Sequence, residues 1–320
     1  MNNSISFASI SFCIVLLSGC ASMSGSAEKG QQADSNSDGL TGLYEGEPEV
    51  VFATEFPVES AEEAVARADR ALQEGDIDLA LYMYVRAYDM EHDNVHALAR
   101  IGEIHESRGN NRLATQAYLA ALRIDQENAA ILQSLGLMYL QAKRNDEAEV
   151  LLQRAVAANA SAWQAHNGIG IIADLNGDHE AALHAYDVAL EINPDDASIL
   201  NNRGYSLYLT AKYEAAAKDF ISAATQGNSR AWLNLGLVRA RQQRYSEAVR
   251  VMDRAVAIEV AYNDVGYIAM RQGDLAIAAN YFQKAIDTSP RYFEEAQRNL
   301  GEVRDRQSAR ASIEPVAMSN

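Results

Sequence analysis

Cysteine is almost missing from this chain: only Cys13 and Cys20 occur in 320 residues. Cys13 falls in a segment that reads as removable, so a single thiol remains, too few for an internal disulfide framework. Positive charge is scarce too. With 27 Lys and Arg against 44 Asp and Glu, the formal net charge is -17, which repels phosphate backbones and disfavours flat binding to anionic lipid headgroups. Nucleic acid is therefore excluded as an expected partner, and any membrane attachment must come from something other than a basic patch. The apolar run from Phe12 to Leu17 is far shorter than the roughly 20 residues a spanning helix needs. Catalytic signatures are missing as well: no nucleophile elbow, phosphate-binding loop, dinucleotide fingerprint or paired-carboxylate constellation is present. The histidines form no convincing ligand pair, since His92 and His96 straddle a repeat junction while His105, His166, His179 and His184 are scattered. The expectation is a protein with no enzymatic activity, no metal, no cofactor and no small-molecule substrate.

What is there begins at the N-terminus. Residues 1–19 carry no ionisable side chain and read as a signal peptide around the apolar run. Leu17-Ser18-Gly19-Cys20 comes directly after it and resembles the lipobox of bacterial lipoproteins. That resemblance implies acylation of Cys20, palmitate included, and attachment to a membrane through the lipid alone. The n-region departs from the pattern by lacking Lys or Arg. Because Ala21 is next to the cysteine, the resemblance also implies sorting to the outer membrane, on its periplasmic face, in a Gram-negative bacterium. The segment 20–42 is rich in Ser, Gly, Asp and Gln and reads as a flexible tether. The segment 43–60 becomes apolar enough to pack, in extended form, on the first repeat, and Ser60 with Glu63 has capping-box spacing.

From there the chain repeats. Alanines recur at Ala80, Ala114, Ala148, Ala182 and Ala216 with a step of 34, then at Ala248 and Ala278 after steps of 32 and 30. Seven residues behind runs Ala87, Ala121, Ala155, Ala189, Ala223, Ala255 and Ala285. Between the two series sits a large apolar residue: Tyr84, Tyr118, Leu152, Tyr186, Phe220, Met252, Phe282. Twelve residues before the first series lies a third small position, Ala68, Gly102, Gly136, Gly170, Gly204, Gly236 and Gly266. Such phasing describes an antiparallel helix pair: small residues on the two helices face each other and allow close approach, while the large residue fills the space between them. Gly75-Asp76, Gly109-Asn110, Gly177-Asp178 and Gly273-Asp274 are the expected turns.

This pattern, with Leu135-Gly136 and Tyr139, or Trp232 with Leu235-Gly236, resembles the tetratricopeptide repeat (TPR). The resemblance implies an all-α, right-handed superhelical solenoid. Seven repeats are expected at 61–94, 95–128, 129–162, 163–196, 197–228, 229–258 and 259–292, with a capping helix over 293–306 and a disordered tail over 307–320. In such solenoids the first helices line a concave groove through the second, fifth, ninth and twelfth residues of each repeat. In this sequence those positions include Val65, Leu72, Leu137, Leu140, Asn167, Ile171, Asn201, Tyr205, Tyr208, Leu233, Leu237, Asn263, Tyr267 and Met270. They suggest recognition of a helix or an extended peptide, with Tyr as rigid anchor and Asn reaching backbone groups. For any one of them, a place in the core is an equal reading.

The C-terminal third carries more than the generic pattern. Asn201-Asn202-Arg203-Gly204-Tyr205-Ser206-Leu207, Ala231-Trp232-Leu233-Asn234-Leu235-Gly236, Tyr262-Asn263-Asp264-Val265-Gly266-Tyr267 and Ser289-Pro290-Arg291-Tyr292 resemble the TadD family of tight-adherence (Tad, or Flp) pilus assembly lipoproteins. Glu47-Pro48-Glu49-Val50-Val51 adds a weaker likeness. The resemblance implies an outer-membrane scaffold with a pilotin-like role, whose partner is the pilus secretin or another pilus assembly subunit. Two other readings stay open: a lipoprotein scaffold for cell-envelope enzymes or for another pilus or secretion system, and a structural spacer within the envelope.

Overall fold

The computed structural model describes residues 58–313, with side chains from 58 to 310. The expected signal segment, Cys20 as the expected anchor, the expected tether, most of the 43–60 segment and residues 314–320 lie outside the described residues. Among the described residues there are fifteen helices and no strand, grouped in two compact units that divide between Ala158 and Asn159. In the first unit the helix pairs are α1 (Ala61–Glu74) with α2 (Ile77–Met90), α3 (Val95–Ser107) with α4 (Asn111–Ile124), and α5 (Ala129–Gln141) with α6 (Asn145–Ala158). The second unit pairs α7 (Trp163–Leu175) with α8 (His179–Ile192), α9 (Ala197–Leu209) with α10 (Tyr213–Thr225), α11 (Ser229–Arg241) with α12 (Tyr245–Met252), and α13 (Ile258–Gln272) with α14 (Leu275–Thr288). It ends on α15 (Glu294–Ile313). Within each unit the pairs stack in sequence as a helical solenoid.

Phased side chains start and stop these helices. The Ser60 hydroxyl accepts from the Glu63 amide at 3.1 Å, and the Glu63 carboxylate accepts from the Glu59 amide at 2.9 Å, so the capping-box residues satisfy two otherwise orphaned donors. Asn94 and Asp196 cap two other first helices by accepting from the Ala97 and Ile199 amides, while Asp76 and Asp178 do the same for second helices α2 and α8. At the turn inside each pair one residue must take a left-handed backbone. Gly75, Gly109, Gly177 and Gly273 supply it at φ between 75° and 89°. In the remaining three repeats Lys143, Ala211 and Gln243 occupy the same place at φ 58° to 60°, where a side chain is strained.

The close packing inside a pair differs from the expectation of small against small. A Cβ built on the first-helix glycine would meet the large residue of the second helix: Leu152 at 2.8 Å from Gly136, Tyr186 at 2.6 Å from Gly170, Phe220 at 2.8 Å from Gly204 and Phe282 at 3.0 Å from Gly266. Gly102 against Tyr118 and Gly236 against Met252 are tighter still. The ring or chain lies on the glycine backbone, because a fully buried Tyr or Phe between two helices needs a partner surface without a side chain. Tyr84, Tyr118, Tyr186, Phe220 and Phe282 are at most 1% exposed.

Where the large residue is Tyr, its hydroxyl finds a carboxylate on the first helix. Tyr118 donates to Glu106 at 2.8 Å, Tyr186 to Asp174 at 3.0 Å, and Tyr84 to Asp69. Burial, reinforced by the adjacent carboxylate, drives the Tyr186 hydroxyl far above its ordinary pKa. Arg203 on α9 provides a second kind of tie. It grips Asp219 on α10 with two bonds of 2.7 and 2.8 Å and reaches Asp187 on α8 at 2.8 Å, joining two neighbouring repeats. Asp219 is only 5% exposed, so loss of the guanidinium would leave a buried charge uncompensated.

Two boundaries depart from the sequence expectation. The second helix of the shortened sixth repeat ends at Met252 after eight residues, and Ala255, in phase with the second alanine series, falls in the turn beyond it. At the other end, α15 runs on to Ile313, so the disordered tail expected from 307 is corrected: residues 307–313 are helical. An Arg306–Glu302 pair spaced i,i+4 and the Ser308 hydroxyl bonded to the Arg304 carbonyl support that extension, and no glycine stands where the earlier first helices turn.

Candidate partner-binding face

The fourteen residues expected to face a partner divide into two classes. Val65, Leu72, Leu137, Tyr205, Tyr208, Leu233, Leu237 and Tyr267 are half-buried and keep part of their side chains available. Leu140, Ile171 and Met270 are buried at 1%, 4% and 2% exposure; these three belong to the core.

The asparagines have a different task from the one expected of them. Asn167, Asn201 and Asn263 are buried, and each carboxamide oxygen accepts from an asparagine on the next first helix: Asn202 at 3.1 Å, Asn234 at 2.8 Å and Asn299 at 3.1 Å. The fifth residue of one repeat is thus tied to the sixth of the next, at separations of 35, 33 and 36 residues. A buried amide oxygen left unpaired is costly, so these residues set the register between neighbours and their oxygens are not free for a partner's backbone. Asn202 and Asn234 were legible as a second recurring amide one place behind the first; only the stacking reveals what they bond to. One rung is broken. Asp264 takes the sixth place opposite Leu233, faces Glu295 on α15, and burial with that neighbouring charge pushes its pKa up to about 6.

In the second unit the half-buried residues gather around aromatic rings. Tyr205 and Tyr208 on α9 have centroids 6.1 Å apart, and Tyr208 lies 5.9 Å from Tyr213 at the start of α10. Arg241 on α11 donates from Nε to the Tyr208 hydroxyl at 2.9 Å. Burial raises the Tyr205 pKa, with Tyr208 and Asp174 adding to it, so Tyr205 presents a neutral ring with a polar tip. Leu233, Leu237 and Tyr267 pack beside Met270 in one apolar cluster. Tyr213 and Arg241 fell outside the expected set, since the first lies on a second helix and the second one place beyond the twelfth. Arg254, stacked over the Trp232 ring at 4.4 Å, was missed because it lies in the turn beyond α12. Val65 and Leu72 pack against the core of the first unit. Cys20 lies outside the described residues.

Among the described residues no cluster of three or more His, Cys, Asp or Glu could hold a metal ion, and no helix is long and apolar enough to cross a membrane. His105 is buried near Asn110. His179 bonds Asp174, which also holds the Tyr186 hydroxyl. These histidines are parts of the packing.

Comparison with known proteins agrees with this architecture. Tetratricopeptide repeat families match residues 65–129, 134–197, 201–264 and 260–292. The type IV pilus assembly protein PilF of Pseudomonas aeruginosa is 29% identical over 164 residues, 46% of this chain and 65% of that protein. The BBSome complex member BBS4 of Bos taurus is 25% identical over 233 residues, 68% of this chain and 43% of that one. The chain thus spans less than two thirds of the length of either relative. Among solved structures, a tetratricopeptide repeat protein from Parabacteroides merdae superposes with a TM-score of 0.53 at 17% identity, covering 76% of this chain and 98% of its own. The Pseudomonas aeruginosa pilF structure gives 0.51 at 19% identity, covering 76% and 97%; both likenesses are of fold alone. With its phased helix pairs and matched repeats, this chain belongs to the tetratricopeptide repeat family.

Proposed function

We propose that this chain is a protein-binding scaffold of pilus assembly, held at the periplasmic face of the outer membrane through a lipid on Cys20. The similarity to the type IV pilus assembly protein PilF across 164 residues carries this reading, and the lipobox-like Leu17-Ser18-Gly19-Cys20 supports the anchor. The finer assignment, a tight-adherence pilus factor acting on the secretin in a pilotin-like way, rests on the C-terminal motifs around Asn201, Trp232 and Tyr262. The half-buried face of Tyr205, Tyr208, Leu233, Leu237 and Tyr267 is the proposed docking surface, because it presents aromatic anchors over an apolar floor. The reading is tested by replacing Tyr205 and Tyr208 with Ala together and cross-linking in the intact envelope. Loss of a pilus-assembly partner with an unchanged helical melting curve is the expected result; retention of that partner moves binding away from this face. A Cys20→Ser protein made at normal level is expected to leave the outer-membrane fraction and to lower the yield of secretin multimers. Normal fractionation and normal multimers would sink the anchored-pilotin reading.

The similarity to BBS4 covers more of this chain, 68%, and favours a second reading: a general repeat scaffold whose partner belongs to another envelope assembly. The same cross-linking experiment separates the two by the identity of what is captured.

A further inference from the structure

The sixth repeat runs against the charge of the chain. Residues 229–258 hold six arginines and two carboxylates, Glu247 and Asp253, in a chain with 27 basic against 44 acidic side chains. Arginines in other repeats are neutralised, as Arg67 is by Glu63, Arg154 by Glu127 and Arg203 by Asp187 and Asp219. Three of these six rest on neutral groups instead. Arg239 donates to the Gln242 carboxamide at 3.1 Å, Arg254 lies over the Trp232 ring, and Arg241 donates from Nε to the Tyr208 hydroxyl. Positive charge is thus held in place without being cancelled.

Arg241 stands at the rim of the aromatic face. It lies four residues beyond Leu237, and Arg271 lies four beyond Tyr267, so each arginine is one turn above a groove residue on the same side of its helix. The Gln272 carboxamide donates to the Arg241 carbonyl at 2.9 Å, which ties the ends of α11 and α13 together and keeps the two arginines on one edge. Both are exposed, and neither is ion-paired among the described residues. Carboxylates beside that edge are already engaged: Glu214 accepts from Gln242 at 3.2 Å, and Asp274 accepts from Tyr245. A cation at a helix C-terminus offsets the helix dipole. That local use does not require these arginines, because the same place in the five preceding first helices is held by Gln73, Ser107, Gln141, Leu175 and Leu209.

We infer that the face of Tyr205, Leu233, Leu237 and Tyr267 takes an acidic segment of a partner protein. The segment's apolar side chains lie on that floor, and its Asp or Glu carboxylates are gripped along the rim by Arg241 and Arg271, whose planar forks match a carboxylate. The inference rests on the docking face proposed above and adds the charge of what binds there. An anionic lipid surface fits less well, since a membrane would meet the repulsion of the whole chain at -17, whereas a peptide in the groove meets the local arginines.

The test probes the full chain, in detergent, with an array of short peptides that vary independently in Asp and Glu content and in Leu, Phe and Tyr content. Saturable binding by the peptides that combine both is expected, weakening as salt is added. Arg241→Gln together with Arg271→Gln is expected to weaken the best of them by about a hundredfold, about tenfold for each charged hydrogen bond lost, with an unchanged melting curve. Arg241→Glu together with Arg271→Glu is expected to turn the preference toward Lys-bearing peptides. Tyr205→Ala together with Tyr208→Ala is expected to abolish binding of either kind. A preference for neutral or basic peptides, or an acidic preference that survives both arginine changes, would overturn the inference; if the tyrosine change still abolishes binding, the docking face itself stands. Binding untouched by the tyrosine change would remove the face and the inference with it. No saturable binding of any acidic peptide would also overturn the inference, and capture of anionic phospholipid vesicles that Arg241→Gln abolishes would then assign the rim to a lipid headgroup.

Discussion

At the scale of single residues, the phase positions separate chemistry that composition leaves mixed. Asp264 sits where neighbouring units place Asn202, Asn234 and Asn299, and carries a charge into a half-buried site beside Glu295. Its pKa of about 6 in the fold lies above the ordinary carboxylate value, so the folded chain retains a proton that the unfolded chain has released. The stability this provides is present below about pH 4 and is lost as pH rises through 6. Asp264→Asn is therefore expected to raise stability at pH 7 by about 1 to 2 kcal/mol, discounted for partial exposure. It should also remove part of the gain seen on acidification, both read from urea unfolding of the two proteins at pH 4.5 and 7. A second position is singled out by backbone geometry. Ala211 holds a left-handed φ of 58° where four other repeats use glycine. Ala211→Gly is expected to shift the urea midpoint upward by the equivalent of about 0.5 kcal/mol at constant m-value, the strain relieved exceeding the extra chain entropy.

At the scale of the helix pair, one residue type in one phase position has two meanings. Gly170 lies under the Tyr186 ring, held in place by its bond to Asp174. Gly170→Ala is expected to cost about 1 to 2 kcal/mol, overpacking outweighing the helix propensity gained. Gly301 has open space, so Gly301→Ala is expected to be stabilising by roughly 0.5 kcal/mol. Thermal melts of both variants check the opposite signs. The repeat period and most helix limits were readable because phased caps and glycines state them outright. The ring-on-glycine pairing was not, since spacing along two helices does not say how far they slide past each other, and small facing small was the wrong register.

At the scale of the whole molecule, stability within each unit is close to a sum over neighbours, because inside a unit each helix pair rests on the next and long-range pairings are few in kind. Gly266→Ala, which crowds Phe282 in the second unit, is expected to speed amide hydrogen exchange in α13 to α15 while leaving α1 to α6 at the wild-type rates. Equal acceleration in both units would mean that the chain unfolds as a single cooperative block.

The sequence by itself determined the repeat, its period and shortened steps, the helix caps and the family, because recurrence is read directly along the chain and each cap depends on residues within one turn of each other. It also assigned Tyr205, Tyr208, Leu233, Leu237 and Tyr267 to the groove positions of three successive first helices. Only the tertiary structure decided that Leu140, Ile171 and Met270 are core, that Asn167, Asn201 and Asn263 bind the next repeat, and that α15 leaves Gly301 uncovered. Those are facts about which surfaces other helices cover. Burial and hydrogen bonding across a stack of helices are set by the relative placement of residues some thirty positions apart, which no local pattern records.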